Sequence, residues 1–410
     1  MNTNANYDVV IIGSGPAGSL CGIECRKKGL SVLCIEKDEF PRFHIGESLT
    51  GNAGQIITDL GLYDKMEEAE FPNKLGVNVI GSLSKNEFFI PILAKTWQVR
   101  RSSFDKMLKE KALEHGVEYQ TGMVTDVLRD GEKVVGATYK TAAGSQNVNS
   151  KVLVDASGQT TFLSRKGVAG KRKVEFFSQQ IASFAHFENV ERDLPPFSTN
   201  TTILYSKQYH WSWIIPISPT TDSLGVVIPK DLYYKECNSP EAAIEWGMNN
   251  ISPELKRRFK NAEQVEASQS MADFSYRIEP FVGDGWLCIG DSHRFLDPIF
   301  SYGVSFGMKE GIRSAEAIAT SIQTGDWKTP FYAFRDWSNK GQQIAADLIR
   351  YFWIYPIFFG YQMQNPDLRD EVIRLLGGCC FDCEGWKAPS IFSNAIKEYD
   401  RKQMETKIAS

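Results

Sequence analysis

The 410-residue sequence predicts an α/β protein with a Rossmann-like core, an inserted antiparallel sheet and a C-terminal helical region. Three observations predict it. A short β-branched run, Tyr7 to Ile12, leads into Gly13-Ser14-Gly15-Pro16-Ala17-Gly18 and then a helical stretch. Strand-like runs rich in aromatic and β-branched residues fill the middle of the chain, from about Glu175 to Ile228. From about Phe331 the pattern is mostly helical.

In chain order, Gly29 ends the first helix, and Ser31 to Ile35 is a second strand closing on Glu36, which completes a βαβ unit. Phe104 to His115 reads as a helix with Phe104, Met107, Leu108 and Ala112 apolar. Short alternating strands follow from Val117 to Val154, broken at Asp130-Gly131 and Ala143-Gly144. The runs Thr201 to Tyr205, Trp211 to Pro216 and Leu224 to Ile228 form the inserted sheet, and Ala242 to Met248 and Pro253 to Phe259 are helical. Trp286 to Ile289 returns to a buried strand, and a long helix runs from Gly303 through Ile322. The expected division is 1–80, 96–175 and 280–330 for the core, 81–95 and 176–279 for a substrate domain on the antiparallel sheet, and 331–410 for the helical region.

Composition excludes some functions. At 42% hydrophobic and 23% charged the chain builds an ordinary large core. A net charge of −4 leaves no basic excess for nucleic acid. The most apolar late stretch, Tyr351 to Tyr361, is too short to span a bilayer, and Val9 to Ile12 lacks the basic flank of an export signal. A cytoplasmic location is therefore expected, with the eight scattered cysteines reduced. Cys379-Cys380-Phe381-Asp382-Cys383 lacks a second Cys/His pair at zinc spacing, so no metal site is expected.

The glycine turn stands between a strand and a helix with an acid closing the next strand, which is the full dinucleotide-binding context. Gly13, Gly15, Ala17 and Gly18 let the helix N-terminus face a pyrophosphate, and Glu36, followed by Lys37, accepts ribose hydroxyls. Val154-Asp155-Ala156-Ser157-Gly158 and Cys288-Ile289-Gly290-Asp291 resemble later motifs of the FAD-dependent aromatic hydroxylase superfamily. That resemblance implies FAD, with Gly290 and Asp291 at its ribityl chain and phosphates. It also places Arg101, in Arg101-x-x-Phe104-Asp105, beside the cofactor. No second glycine fingerprint serves a nicotinamide, so a separate flavin reductase is the expected source of reduced FAD.

Within that superfamily, four segments resemble the flavin-dependent halogenases. Trp211-Ser212-Trp213-Ile214-Ile215-Pro216 carries the family's Trp-x-Trp-x-Ile-Pro pattern, which implies a wall near the flavin that disfavours hydroxylation. Trp211, Trp213 and Pro216 are given a shaping role; two residues apart on a strand, the tryptophans share a face. Gly46-Glu47-Ser48 is similar to the loop that covers the flavin, while His44 just before it reads as structural. Lys74, in Phe71-Pro72-Asn73-Lys74-Leu75-Gly76, matches the context of the family's essential lysine. Phe295-x-x-Pro298-x-x-Ser301-x-Gly303 resembles the second halogenase motif, which implies Pro298 at the flavin and a halide on the backbone of Tyr302 and Gly303.

The resemblance implies that reduced FAD, O2 and a halide give hypohalous acid, which Lys74 delivers to an electron-rich ring. Its ammonium would polarise the acid, or its amine would form a haloamine. The chain is similar to the shorter halogenases of phenols and of pyrroles tethered to acyl or peptidyl carrier proteins. Ser301 to Phe306 favours the pyrrolyl carrier-protein group and, by resemblance, bromide over chloride. Tyr302 and Phe306, four apart at a helix start, are candidates to line the ring pocket. Lys256-Arg257-Arg258-x-Lys260 and Lys171-Arg172-Lys173 are candidate docking faces for an acidic carrier protein. A free-phenol halogenase, an FAD-dependent aromatic hydroxylase, a polyprenyl reductase and a non-catalytic flavin protein are the alternatives.

Overall fold

A computed structural model of the chain describes residues 5–81, 88–175, 179–272 and 274–409. The opening unit is β1 (Ala5–Ile12), α1 (Pro16–Lys27) and β2 (Val32–Glu36). Proline at its start suits α1, since the first N–H has no helical partner, and Arg26 and Lys27 meet the negative end of the helix dipole. β1 pairs in parallel with β2, Val9 opposite Val32, and with Gly144–Asp155, Ile12 opposite Asp155. All five residues of β2 are buried, as a parallel strand covered on both faces requires. The strand Trp286–Cys288 extends this sheet on the far side of Gly144–Asp155, and Glu118–Thr121 extends it beyond β2.

The second sheet is mostly antiparallel and orders Gln180–Glu188, Thr221–Pro229, His210–Pro216, Thr201–Lys207, Gly76–Gly81 and Phe88–Pro91. Thr201–Lys207 pairs in parallel with Gly76–Gly81, so this sheet begins at Gly76, a few residues before the expected division at 81. The expected boundary at 176 falls outside the described residues. A small third sheet, Arg172–Val174 with Tyr276–Ile278 and Arg294–Phe295, ties segments from both sides of that division together.

Every residue of His210–Pro216 is buried, because both faces of the sheet are covered. Trp211, Trp213 and Ile215 join a cluster with Tyr302, Phe306 and the C-terminal helix Lys328–Ile354. Ile214 points the other way, to Val226, Ile244 and Leu255 under the helices Pro240–Asn250 and Pro253–Arg258. The helix Tyr302–Thr324 packs on α1 and aims its N-terminus at the open end of the parallel sheet. No helix among the described residues is long and apolar enough to cross a membrane.

Candidate active site

The glycine turn is built by close backbone contact. Gly13 has φ +94°, and a Cβ on Gly18 would lie 2.1 Å from the Gly13 carbonyl oxygen. Glu36 folds back onto this turn: its Oε2 accepts from the Ser14 N–H at 2.9 Å and the Ser14 hydroxyl at 3.1 Å. Arg42, which no sequence signal assigned a role, stands 3.9 Å from the same oxygen and also reaches Asp105.

Arg101 lies at the start of Arg101–Glu114 and is buried. Its guanidinium grips Asp105 with bonds of 2.8 and 3.0 Å and donates to the Ile45 carbonyl at 2.7 Å. Burial alone would raise the Asp105 carboxyl; the Arg101 guanidinium holds it below the ordinary range. Arg101 thus anchors the Gly46-Glu47-Ser48 loop. His44 beside it, which also borders the large cavity, is pushed down to about 4 by burial and by the Arg101 charge.

These groups open onto one cavity of about 1030 Å³, running from Gly13, Glu36 and Lys37 past Arg101 and Asp291 to Trp213 and Gly303. That is at the upper end of ordinary ligand pockets. Burial raises the Asp291 carboxyl to about 7, and nearby Glu310 adds to this against Arg101. Glu310, buried and unforeseen, accepts from the Gly290 N–H at 2.6 Å and contacts His293 at 2.9 Å. It fixes the Gly290-Asp291 turn from behind. Pro298 opens a short turn closed by Ser301, whose φ of 59° is left-handed and points the helix start Tyr302–Gly303 into the cavity.

Lys74 is buried at 4% exposure. Its Nζ donates to the Ser48 hydroxyl at 2.7 Å and the Leu49 carbonyl at 3.0 Å, so two of three N–H donors are engaged among the described residues. Ser48 in turn meets the Thr201 hydroxyl at 2.8 Å, which Gln98 also contacts at 2.8 Å. Burial lowers the Lys74 ammonium from its ordinary 10.5 to about 7. Lys74 faces a second, small chamber with Phe300 and Phe352, and this chamber shares Thr201, Ile203 and Ser301 with the large cavity.

Trp211 and Trp213 border the large cavity, their rings 5.8 Å apart, while Pro216 ends the strand outside it. Trp213 lies flat across Gly225 on the neighbouring strand; a Cβ there would sit 2.0 Å from the indole. Gly225→Ala is expected to displace the indole and destabilise the protein by about 1–3 kcal/mol. A melting temperature and tryptophan fluorescence equal to the parent's would contradict this. Tyr302 and Phe306 stack at 4.9 Å and border the large cavity, with the Tyr302 hydroxyl donating to the Leu375 carbonyl. The rings beside Lys74 are instead Phe300 and Phe352. Of the basic runs, Arg257 pairs with Glu254 and Glu191, and the buried Arg258 pairs with Asp193, which weakens 256–260 as a docking face.

A family model described as FAD binding domain matches residues 6–328. The solved structure of the flavin-dependent brominase Bmp2 superposes with a TM-score of 0.95 at 83% identity, covering 97% of this chain and 100% of that one. Over 404 residues the chain is 82% identical to the 1H-pyrrole-2-carbonyl-[peptidyl-carrier protein] brominase of Pseudoalteromonas luteoviolacea, covering 98% of this chain and 100% of the relative. This chain belongs to the flavin-dependent halogenases. The halogenase is also 30% identical to the 1H-pyrrole-2-carbonyl-[peptidyl-carrier protein] chlorinase of Pseudomonas fluorescens, over 91% of this chain and 89% of the relative. Its cofactor is FAD, and the halogenase uses reduced FAD, halide and O2. The large cavity fits that group: a helix N-terminus stands where a pyrophosphate needs donors, and a carboxylate where a ribose needs an acceptor.

Proposed function

We propose that the protein brominates a pyrrole ring held as a thioester on a peptidyl carrier protein, with reduced FAD delivered by a separate reductase. The observation that carries this reading is Lys74, buried in a chamber that shares a wall with the flavin cavity, in a chain 82% identical to a pyrrolyl carrier-protein brominase. Reduced FAD in the large cavity supplies the electrons by which O2 and halide become hypohalous acid.

Gly13, Gly15, Ala17, Gly18 and the start of α1 hold the pyrophosphate, and Glu36 with Lys37 holds the adenosine end. Gly290, Asp291, Arg101 and Pro298 frame the remainder, under the loop Gly46-Glu47-Ser48. The halide rests on the backbone N–H groups of Tyr302 and Gly303, at the positive end of a 23-residue helix. Trp211 and Trp213 confine the reacting end, and Tyr302 and Phe306 limit the space open to a ring.

Hypohalous acid passes the Thr201, Ile203 and Ser301 wall to Lys74. There the third N–H donates to its oxygen, which withdraws charge from the halogen and makes it more electrophilic. The ring takes the halogen, the oxygen leaves as water, and the ring proton is lost. An ammonium near 7 also keeps the neutral amine within reach, so the haloamine route shares the same residue. Eight unpaired cysteines support a cytoplasmic site of action.

The test supplies reduced FAD, O2, bromide or chloride, and a pyrrolyl-loaded carrier protein, with a free phenol in parallel. Mass spectrometry is expected to show a bromine isotope pattern on the carrier-bound ring. A hydroxylated ring, or halogen on the phenol alone, would overturn the reading.

A further inference from the structure

The flavin-covering loop is tied to the outside of the protein by a histidine. His186, on the strand Gln180–Glu188, is buried at 3% exposure. Its Nε2 meets Glu47 Oε1 at 2.7 Å, and its Nδ1 lies 2.9 Å from Glu266 Oε2, off the line of a good hydrogen bond. Glu266 is 36% exposed and pairs with Arg100 at 2.7 Å. Phe43 covers the imidazole at 5.8 Å, and the residue opposite His186 on the neighbouring strand is the uncharged Ser223. Glu47 borders the flavin cavity, and its second oxygen, Oε2, is buried with no hydrogen-bond partner among the described residues. A buried carboxylate at the cavity, an imidazole and a solvent-facing carboxylate therefore stand in a row.

We propose that Glu266, His186 and Glu47 form a proton relay from the protein surface to the flavin cavity. This rests on the proposed function, whose chemistry needs such a supply. Making hypohalous acid and water from O2, halide and reduced flavin takes up one proton. A proton from solvent reaches Glu266 and forms an N–H bond at His186 Nδ1. The Nε2–H bond breaks as an O–H bond forms on Glu47, which presents that proton to the cavity; a turn of the ring then brings the bare Nε2 toward Glu266 to take the next proton, and the turn back restores the doubly protonated ring. Burial would lower the imidazole, but the Glu47 bond and charge, with Glu266, raise it above its ordinary value. His186 is a positioning and relay residue; only Glu47 borders the cavity.

A structural strut and a relay part company in His186→Gln. The amide keeps a donor for Glu47 but carries no proton onward. Oxidant release is read with a phenol red trap, using reduced FAD, O2 and bromide, so that no carrier protein is needed. His186→Gln is expected to bind FAD as tightly as the parent, by flavin fluorescence, yet to form hypobromous acid on the order of 10²-fold more slowly. Its pH profile should flatten, and added imidazole should restore part of the rate in His186→Ala. Glu266→Gln, at the half-exposed end, should reproduce the slower rate with the fold intact. In flavin-free protein, nitrogen NMR should show the His186 titration shifting in Glu266→Gln. A parental rate and pH profile in His186→Gln, or loss of rate only in step with loss of FAD binding, overturns the relay. A parent that places no bromine on the carrier-bound pyrrole would refute the proposed function instead, and the NMR titration would still judge the row of three groups.

Discussion

Lys74→Ala is expected to lower halogenation on the order of 10³-fold while FAD still binds, because the ammonium is remote from the glycine turn and close to the second chamber. Oxidant release to a trap should persist, so the two activities should separate. Equal product from Lys74→Ala and the parent would remove the lysine from the reaction. The same side chain has a cost in stability. Its ammonium sits at about 7 in the folded protein against an ordinary 10.5, so below pH 7 the folded state carries a charge it solvates poorly. That penalty, about 4–5 kcal/mol, is complete below pH 7, shrinks as pH rises, and vanishes above the ordinary lysine range. Lys74→Met should therefore raise the melting temperature at mildly acid pH and lose that advantage in alkali, less about 1 kcal/mol for each acceptor left without a donor. A melting-temperature difference that does not vary with pH would show that burial is not what lowers this lysine.

Gly18→Ala should be strongly damaging to both fold and flavin binding. The new methyl would lie 2.1 Å from the Gly13 carbonyl oxygen and 3.2 Å from the Ala156 methyl. Gly13 has no room to retreat, since a Cβ on it would already press within 2.5 Å of the Ala156 carbonyl. The strand, the turn and the helix start must part, at a cost of at least about 3 kcal/mol, and the pyrophosphate donors move with them. The expected protein is poorly soluble or colourless. A yellow Gly18→Ala protein with parental flavin content and melting temperature would refute this.

These two sites were unequally legible. The β1–α1–β2 unit could be read directly because a βαβ turn is local: strand, glycines, helix and terminal Glu36 lie within 32 residues, Ala5 to Glu36. The shared face of Trp211 and Trp213 followed from strand alternation, but the bare Gly225 beneath Trp213 needs the register of a second strand. Lys74 could be placed only by resemblance. Its burial comes from Ser48 and Leu49 earlier in the chain and from Thr201 far later, joined by the parallel pairing of Gly76–Gly81 with Thr201–Lys207. The Glu47–His186 contact spans 139 positions and left no local sign, and neither did the remote partners Glu191 of Arg257 and Asp193 of Arg258.

The wall between the two chambers has a bearing on how long each molecule lasts. An enzyme that releases a free oxidant is its own nearest target, and sulfur and indole react with hypohalous acid far faster than hydroxyl or alkyl groups. Thr201, Ile203 and Ser301 are of the slow kinds, so the crossing is inert. Trp211, Trp213 and Met271 lie on the flavin side, and the cysteine nearest the helix start, Cys380, is buried at 0% exposure. On the proposed route, oxidant that fails to cross is expected to oxidise Trp211, Trp213 and Met271 first, so wasted turnovers would wear out the flavin chamber before they reach Lys74.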